Sequence, residues 1–241
     1  MQTDTPPLPS VGIIGGTGAL GRGLAARWAG AGLSVSVGSR HEGRATETAA
    51  EITGSYAASN PVTGADLRTC ASSSDIVVVA VPWDAHADTV EQIRDAALGK
   101  IVIDVVVPLG FDKNGPYAHR VAEGSAAEQA QSLLPDSHVV AAFHHVSAAL
   151  LTDPALERVE TDVMVLGDDA GSVRRVQELV DLIPGMRGIH AGRLRNAGQV
   201  EALTANLIAV NRRYKTHAGI GLTNVSGAAG AQSSKAALVA S

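Results

Sequence analysis

Apolar residues along this chain fall into short dense runs, and between them lie longer stretches where they recur every three or four positions. The runs at 11–14, 33–37, 75–81, 100–107, 138–143 and 161–166 are rich in Val and Ile. Near-continuous apolar runs of this length suit strands covered on both faces. The intervening spacing predicts helices over 23–31, 43–51, 85–98, 124–134, 170–183 and 194–214. In one of them Val173, Val176, Leu179, Val180 and Ile183 share a stripe, and in the last Val200, Leu203, Leu207 and Val210 do. Regular alternation of strand and helix implies an α/β fold with a doubly wound parallel sheet of the Rossmann type. The stretch 55–70 is polar and irregular, with a helix expected over 64–71. Residues 110–116 have loop chemistry, and a short last strand is expected at 187–190. The expected organisation is a disordered lead-in over 1–10, a Rossmann domain over 11–150, a small C-terminal α/β domain over 151–225 ending in the long helix, and a Gly/Ala/Ser-rich mobile tail over 226–241.

The first strand runs directly into glycines. Gly16, Gly18 and Gly21 fit G-x-G-x-x-G between a strand and a helix, the context that gives this pattern weight. Gly16 is expected to make the tight turn, Gly18 to let the backbone approach a pyrophosphate, and Gly21 to let helix and strand pack closely. The backbone N–H groups of residues 17–20 would then face the phosphates from the positive end of the helix. A ligand-free glycine turn is the plainer alternative. After the second strand an NAD-binding chain carries Asp or Glu for the ribose 2′-hydroxyl. Here Ser39 holds that place, followed by Arg40 and, one helical turn on, Arg44. Guanidinium groups fork onto phosphate, so the pattern points to NADP(H) over NAD(H); solvated charges at a helix start are the competing explanation. Beyond the third run, Trp83 is open to two readings, a wall of the cofactor site or a core aromatic. Asp104 interrupts an apolar run and must find a partner inside. Ser125 and Glu128 have capping-box spacing.

Composition narrows the options. The chain has 241 residues, 45% of them hydrophobic but only 3% aromatic, so the core is built from Ala, Val, Leu and Ile. A net charge of −5 argues against general nucleic-acid binding. A single Cys70 excludes an internal disulfide and a thiolate metal cluster. The adjacent His144 and His145 lack partners at zinc spacing, so no metal is expected there. One of them is a candidate for the substrate pocket; a neutral surface or core role is the alternative. With no secretory or membrane-spanning pattern, a cytoplasmic protein without membrane partners is expected.

Several segments together resemble one family, the F420-dependent NADP oxidoreductases, also called NADPH:F420 reductases. They are residues 15–24, Val37 to Arg40, Val81 to Trp83, Val106 to Pro108, the Phe143-His144 region, Gly167 to Asp169, and Glu201 to Thr204 with Asn211. The likeness spans about 11–225; His145, Ser147 and the tail depart from the family pattern. It implies hydride transfer between NADP(H) and the 5-deazaflavin coenzyme F420, as a homodimer. It implies pyrophosphate contacts from Thr17, Gly18, Ala19 and Leu20, and 2′-phosphate contacts from Ser39, Arg40 and Arg44. It further implies dinucleotide contacts from Trp83, Val107 and Ala148. The deazaflavin would lie near His144 and Val146, with Leu207 or its neighbours closing the pocket. Lys113, Arg193 and Arg195 are candidates for its anionic tail.

No nucleophile–base order or paired carboxylates stand out. Hydride transfer between stacked rings needs alignment more than proton chemistry, because the cofactors carry the electronics. His144 is the candidate catalytic group, for hydrogen bonding to the deazaflavin as charge builds there. Two other functions compete: an NADP-dependent imine or β-hydroxy acid reductase, which needs an acid or lysine over the nicotinamide, and a non-enzymatic NADPH sensor.

Overall fold

The computed structural model describes residues 8–55 and 60–225; the tail and most of the lead-in expected from the sequence lie outside them. Order is established by Ser10, whose N–H and hydroxyl both donate to Asp75 Oδ2 at 2.8 Å.

The elements alternate as the apolar pattern requires. Strand β1 (Val11–Ile14) leads to α1 (Ala19–Gly30), then β2 (Val35–Ser39), α2 (Glu42–Ser55), β3 (Thr63–Asp66), α3 (Leu67–Ser72) and β4 (Ile76–Val79). A 3-10 turn (Trp83–Ala85) precedes α4 (His86–Ile93), followed by β5 (Ile101–Asp104). A hairpin, β6 (Leu109–Asp112) and β7 (Gly115–Ala118), then leads to α5 (Ala126–Leu133) and β8 (His138–Ala141). The chain continues through α6 (Ala148–Thr152), β9 (Thr161–Gly167), α7 (Ala170–Asp181), β10 (Met186–Gly192) and the long α8 (Ala197–Tyr214). One eight-stranded sheet has the order β10-β9-β8-β5-β4-β1-β2-β3. Six strands from β3 to β8 run parallel; β9 pairs antiparallel with β8, and β10 runs parallel to β9. The strands after residue 150 thus continue the main sheet instead of forming one of their own.

Because Ala141 pairs with Leu166 and Val140 with Gly167, residues 161–165 of β9 extend past the carboxyl end of β8. The core is mostly small aliphatic side chains on both faces, with two aromatic exceptions, Trp28 and Phe143. Trp28 on α1 is fully buried, donates its indole N–H to Leu179 O at 3.0 Å and meets Phe143 edge-on at 5.7 Å. Arg27, on the same helix, gathers the chain around α6. Its guanidinium donates to the carbonyls of Leu150, Leu151, Asp153 and Leu156 at 2.6–3.0 Å.

Three elements differ from the sequence expectation. Strand β3 occupies residues expected to start a helix; at the sheet edge it buries only Ala65, so it shows no apolar run. Gly64 is needed there because a Cβ would fall 2.4 Å from Thr46 N in the overlying α2. Asp66 then caps α3 by accepting from the N–H groups of Arg68 and Thr69. The second is the β6–β7 hairpin, which stands where a loop was expected. Its strands leave Phe111 and Tyr117 exposed, and its turn is tightened by Asn114 N–H donating to Asp112 Oδ1 at 2.7 Å. The third is α6, one short helix lying against α1; a Cβ on Gly23 of α1 would stand 2.5 Å from Leu151 Cβ.

Candidate active site

The carboxyl ends of parallel strands are where an open α/β sheet receives its ligand. Here the turn after β1 is shaped by Gly15, whose φ of +80° is the one left-handed position in the loop. That places the tight turn one residue earlier than the motif spacing suggested. Gly16 packs instead against β2, since a Cβ there would lie 2.9 Å from both Ile13 O and Val37 Cγ1. Gly21 has the packing role expected of it, with Gly16 Cα only 2.6 Å from where its Cβ would stand. Over Gly18 the protein leaves room, the nearest atom to a Cβ being Gly15 O at 3.4 Å. Nothing within the protein itself requires a glycine at that point. The first helical bond runs from Arg22 N–H to Gly18 O, and no side chain caps α1. The N–H groups of Ala19, Leu20 and Gly21 precede that bond and point out at the helix's positive end.

A cavity of about 320 Å³ brings Thr17 and Gly18 together with Ser39, Arg40 and Arg44. Ser39 ends β2, and its Oγ accepts from His41 N–H at 3.3 Å. Arg40 and Arg44 are exposed at the start of α2, and neither forms an ion pair among the described residues. His41 also lines the cavity, a residue sequence reasoning passed over because its neighbours had already explained the segment. Two unpaired guanidinium groups with no carboxylate opposite fit a phosphate monoester. A wider hollow of about 460 Å³ lies at the starts of β9 and β10. Its Arg187 is already forked onto Asp162 at 2.5 and 2.6 Å and donates to the carbonyls of Leu222 and Val225. That arginine is spent on holding the chain after α8.

Towards β4 and β5, Trp83 is half-buried on the 3-10 turn and Val107 half-buried beyond β5. Neither lines the 320 Å³ cavity, nor do Val146, Ala148 and Leu207. Asp104 finds the partner its burial requires in His86, at 2.7 Å, with both side chains fully enclosed. Its other oxygen accepts from Val106 N–H at 3.0 Å. Burial alone would drive the proton off His86, but the charge and hydrogen bond of Asp104, with Gln129 and Glu201, outweigh it and raise the imidazole above its ordinary range. Glu201 of α8 is buried too, and accepts from the N–H groups of Ala126 and Ala127 at the start of α5. Burial, reinforced by the charge of Asp104, pushes its carboxyl up to about 7. His86 gave no signal in the sequence beyond the demand of Asp104 for a partner, and Glu201 stood out only as part of the segment 201–204 that carries the family resemblance.

Phe143 adopts φ +63° just after β8, a left-handed conformation that is costly for a bulky residue. His144 and His145 follow, both 4% exposed. They sit in this turn and not on the strand itself, which ends at Ala141. Burial lowers each imidazole to about 4, so both rings are neutral. His145 Nε2 accepts from Met164 N–H on the projecting part of β9 at 3.3 Å. Both ring nitrogens of His144 are buried without a protein partner among the described residues. Its carbonyl is held by Thr204 Oγ1 of α8 at 3.0 Å. Val146 is buried beside them, Ala148 half-buried at the start of α6, and Leu207 half-buried one helical turn beyond Thr204. Lys113, Arg193 and Arg195 are exposed; Lys113 lies in the turn between β6 and β7, Arg193 and Arg195 lie together at the 3-10 turn before α8, and Arg193 stands 3.6 Å from Asp168.

Residues 10–108 match a family described as NADP oxidoreductase coenzyme F420-dependent. An F420-dependent NADP reductase of Methanothermobacter thermautotrophicus is 38% identical over 223 residues, spanning 89% of this chain and 95% of the relative. One of the same description from Methanocaldococcus jannaschii is 34% identical over 223 residues, 89% of this chain and 98% of the relative. A crystal structure from Arthrobacter described under F420-dependent NADP-reductase superposes with a TM-score of 0.71 at 25% identity, covering 90% of this chain and all of the other. An imine reductase from Bacillus cereus shares the fold alone, with a TM-score of 0.59 and 12% identity over 86% of this chain and 63% of that one.

Proposed function

From the membership of this chain in the F420-dependent NADP reductase family, we propose that it transfers hydride between NADP(H) and the deazaflavin coenzyme F420. The single observation that carries the NADP side is the cavity joining the glycine turn to Ser39, Arg40 and Arg44 with no carboxylate among its lining residues. Thr17, Ala19 and Leu20 offer the pyrophosphate their N–H groups over the bare backbone of Gly18, whose own N–H is turned inward to Gly15 O at 3.0 Å, and Ser39, Arg40 and Arg44 take the 2′-phosphate. The dinucleotide then runs across the carboxyl ends of β1 and β4, with Trp83, Val107 and Ala148 along its nicotinamide half.

The second ring fits the region of His144, Val146 and Leu207. The orphaned ring nitrogens of His144 need a polar partner that no described residue provides, and a carbonyl on a flat ring is one. When bound, the two coenzymes supply the hydride donor and acceptor. The chain supplies alignment, apolar walls that exclude water, and a neutral His144 that offers an N–H where charge develops. Residues 11–150 on this reading hold NADP(H), and 151–225 complete the second pocket. A homodimer through α8 belongs to the same proposal, supported by the exposed Val210 and Tyr214 on that helix. A cytoplasmic setting goes with it; among the described residues no helix is long and apolar enough to cross a membrane.

Purified protein mixed with NADPH and oxidised F420 tests this directly. Loss of the deazaflavin absorbance in step with NADPH oxidation is expected, and an inert mixture would refute it. Replacing Arg40 and Arg44 together by Ala should weaken NADPH roughly a hundredfold or more while leaving NADH nearly unchanged, since a charged hydrogen bond contributes roughly 1.5–3 kcal/mol. Equal losses for both nucleotides would assign these arginines to the fold.

A further inference from the structure

His86 is fully buried and plays no part in the contacts assigned above. Its surroundings are unusual for a core of Ala and Val. Nε2 lies 2.7 Å from Asp104 Oδ2, and Nδ1 lies 2.9 Å from Gln129 Oε1. The Gln129 amide is oriented by its NH₂, which donates to Glu123 Oε2 at 3.3 Å, so its oxygen is the atom that faces the imidazole. An acceptor therefore stands at each ring nitrogen, and an imidazole satisfies two acceptors only when both nitrogens carry hydrogen. The ring also stacks on Trp83 with centroids 5.5 Å apart and planes 27° from parallel. Asp104 reaches in the opposite direction to Val106 N–H.

Three separate pieces of the chain meet at this pair. They are the indole on the 3-10 turn after β4, the valine turn after β5, and, through Gln129, helix α5. A buried ion pair costs desolvation that a well-packed apolar pair would not, so its retention calls for a task that apolar packing does not perform. Hydrogen bonds of fixed direction fix the rotation of a ring and the path of a turn, and apolar contacts do not.

We propose that His86 and Asp104 are positioning residues for the nicotinamide half of the cofactor, a clamp in which both imidazole nitrogens donate and which holds Trp83 and the 105–107 turn as two fixed walls. The proposal rests on the reading that the nicotinamide lies over the carboxyl ends of β4 and β5. The adenosine end, bound by the glycine turn and by Ser39, Arg40 and Arg44, is independent of it.

The test compares two ligands by calorimetric titration. NADPH reaches both halves of the site, whereas adenosine 2′,5′-bisphosphate reaches only the adenosine end. Asp104→Asn keeps an acceptor for Val106 N–H but presents an NH₂ group or a neutral oxygen to His86. His86→Phe keeps the stack on Trp83 and removes both hydrogen bonds. Each should weaken NADPH by about tenfold while adenosine 2′,5′-bisphosphate binding stays within about twofold. Equal weakening of both ligands, or of neither, overturns the clamp. Nitrogen NMR of the unaltered chain with labelled histidine decides independently of how the variants fold. At pH 6.5 His86 should show two protonated nitrogens, and a neutral tautomer would overturn the proposal. Failure of the unaltered protein to bind NADPH, or to reduce F420, would count against the proposed function, and is thus distinct from failure of the clamp.

Discussion

Acidification from pH 7.5 to 5.0 should act on this fold through buried side chains of opposite sign, of which two neighbours destabilise it. His144 and His145 are held to about 4 by burial, against an ordinary 6.5. In the native state they stay neutral across this interval, while in the unfolded chain they take up protons below 6.5. The unfolded state thus binds more protons, and stability falls as pH falls. Integrating that linkage for one histidine displaced from 6.5 to about 4 gives a loss of about 2 kcal/mol by pH 5.0. Glu201 has the opposite sign. Its carboxyl is raised from 4.5 to about 7, so the native state takes up a proton first and gains about 2 kcal/mol over the same interval. His86, also raised, acts in the sense of Glu201. The wild type therefore loses less on acidification than its two buried histidines alone would cause, and a single-residue difference is the clean measurement. Urea unfolding of the wild type and of His144→Leu at both pH values supplies it. The variant should lose about 2 kcal/mol less than the wild type between pH 7.5 and 5.0. An equal loss in both proteins would show that His144 is accessible to protons in the native state and would remove the neutral-ring role assigned to it.

Two further outcomes follow from the packing. Arg27→Ala should destabilise the chain by at least about 3 kcal/mol in urea unfolding, because four carbonyl bonds from one guanidinium are lost together; a cost under about 1 kcal/mol would make the cluster incidental. Burial pushes the Cys70 thiol up to about 11, so iodoacetamide at pH 8 should leave the native protein unmodified and label it fully in urea, and rapid labelling of the native state would contradict the packing around α3.

Much of the fold was legible because buried parallel strands advertise themselves. The runs that became β1, β4 and β5 contain almost nothing but Val, Ile and Gly, and a strand covered on both faces permits little else. The meeting of the glycine turn with Ser39, Arg40 and Arg44 in one cavity was legible for a different reason, since glycines and arginines at fixed spacing act through backbone geometry and charge, both written locally. What escaped was non-local. Strand β3 is recognisable only once α2 is seen to press on Gly64. The β6–β7 hairpin shows its polar and exposed residues and hides its contact with α8. His86 and Glu201 look like ordinary helix residues until the fold brings them to Asp104 from 18 and 97 positions away in sequence. Asp104 could announce that a partner existed, but a buried charge does not say from which direction it will be met.

The reversal of direction between β8 and β9 has a consequence for how such a molecule can change. Every residue proposed to hold the nucleotide's adenosine end is borne by the first four elements of the chain and the turns between them, whereas the overhang of β9 beside His145 and the helix above it come from the last third. A shift of the overhang by one pleat, or a re-angling of α8, would remodel the space offered to the second ring without moving a single phosphate ligand. Two halves of one continuous sheet are in this sense free to diverge at different rates, the dinucleotide remaining constant while its reaction partner is exchanged.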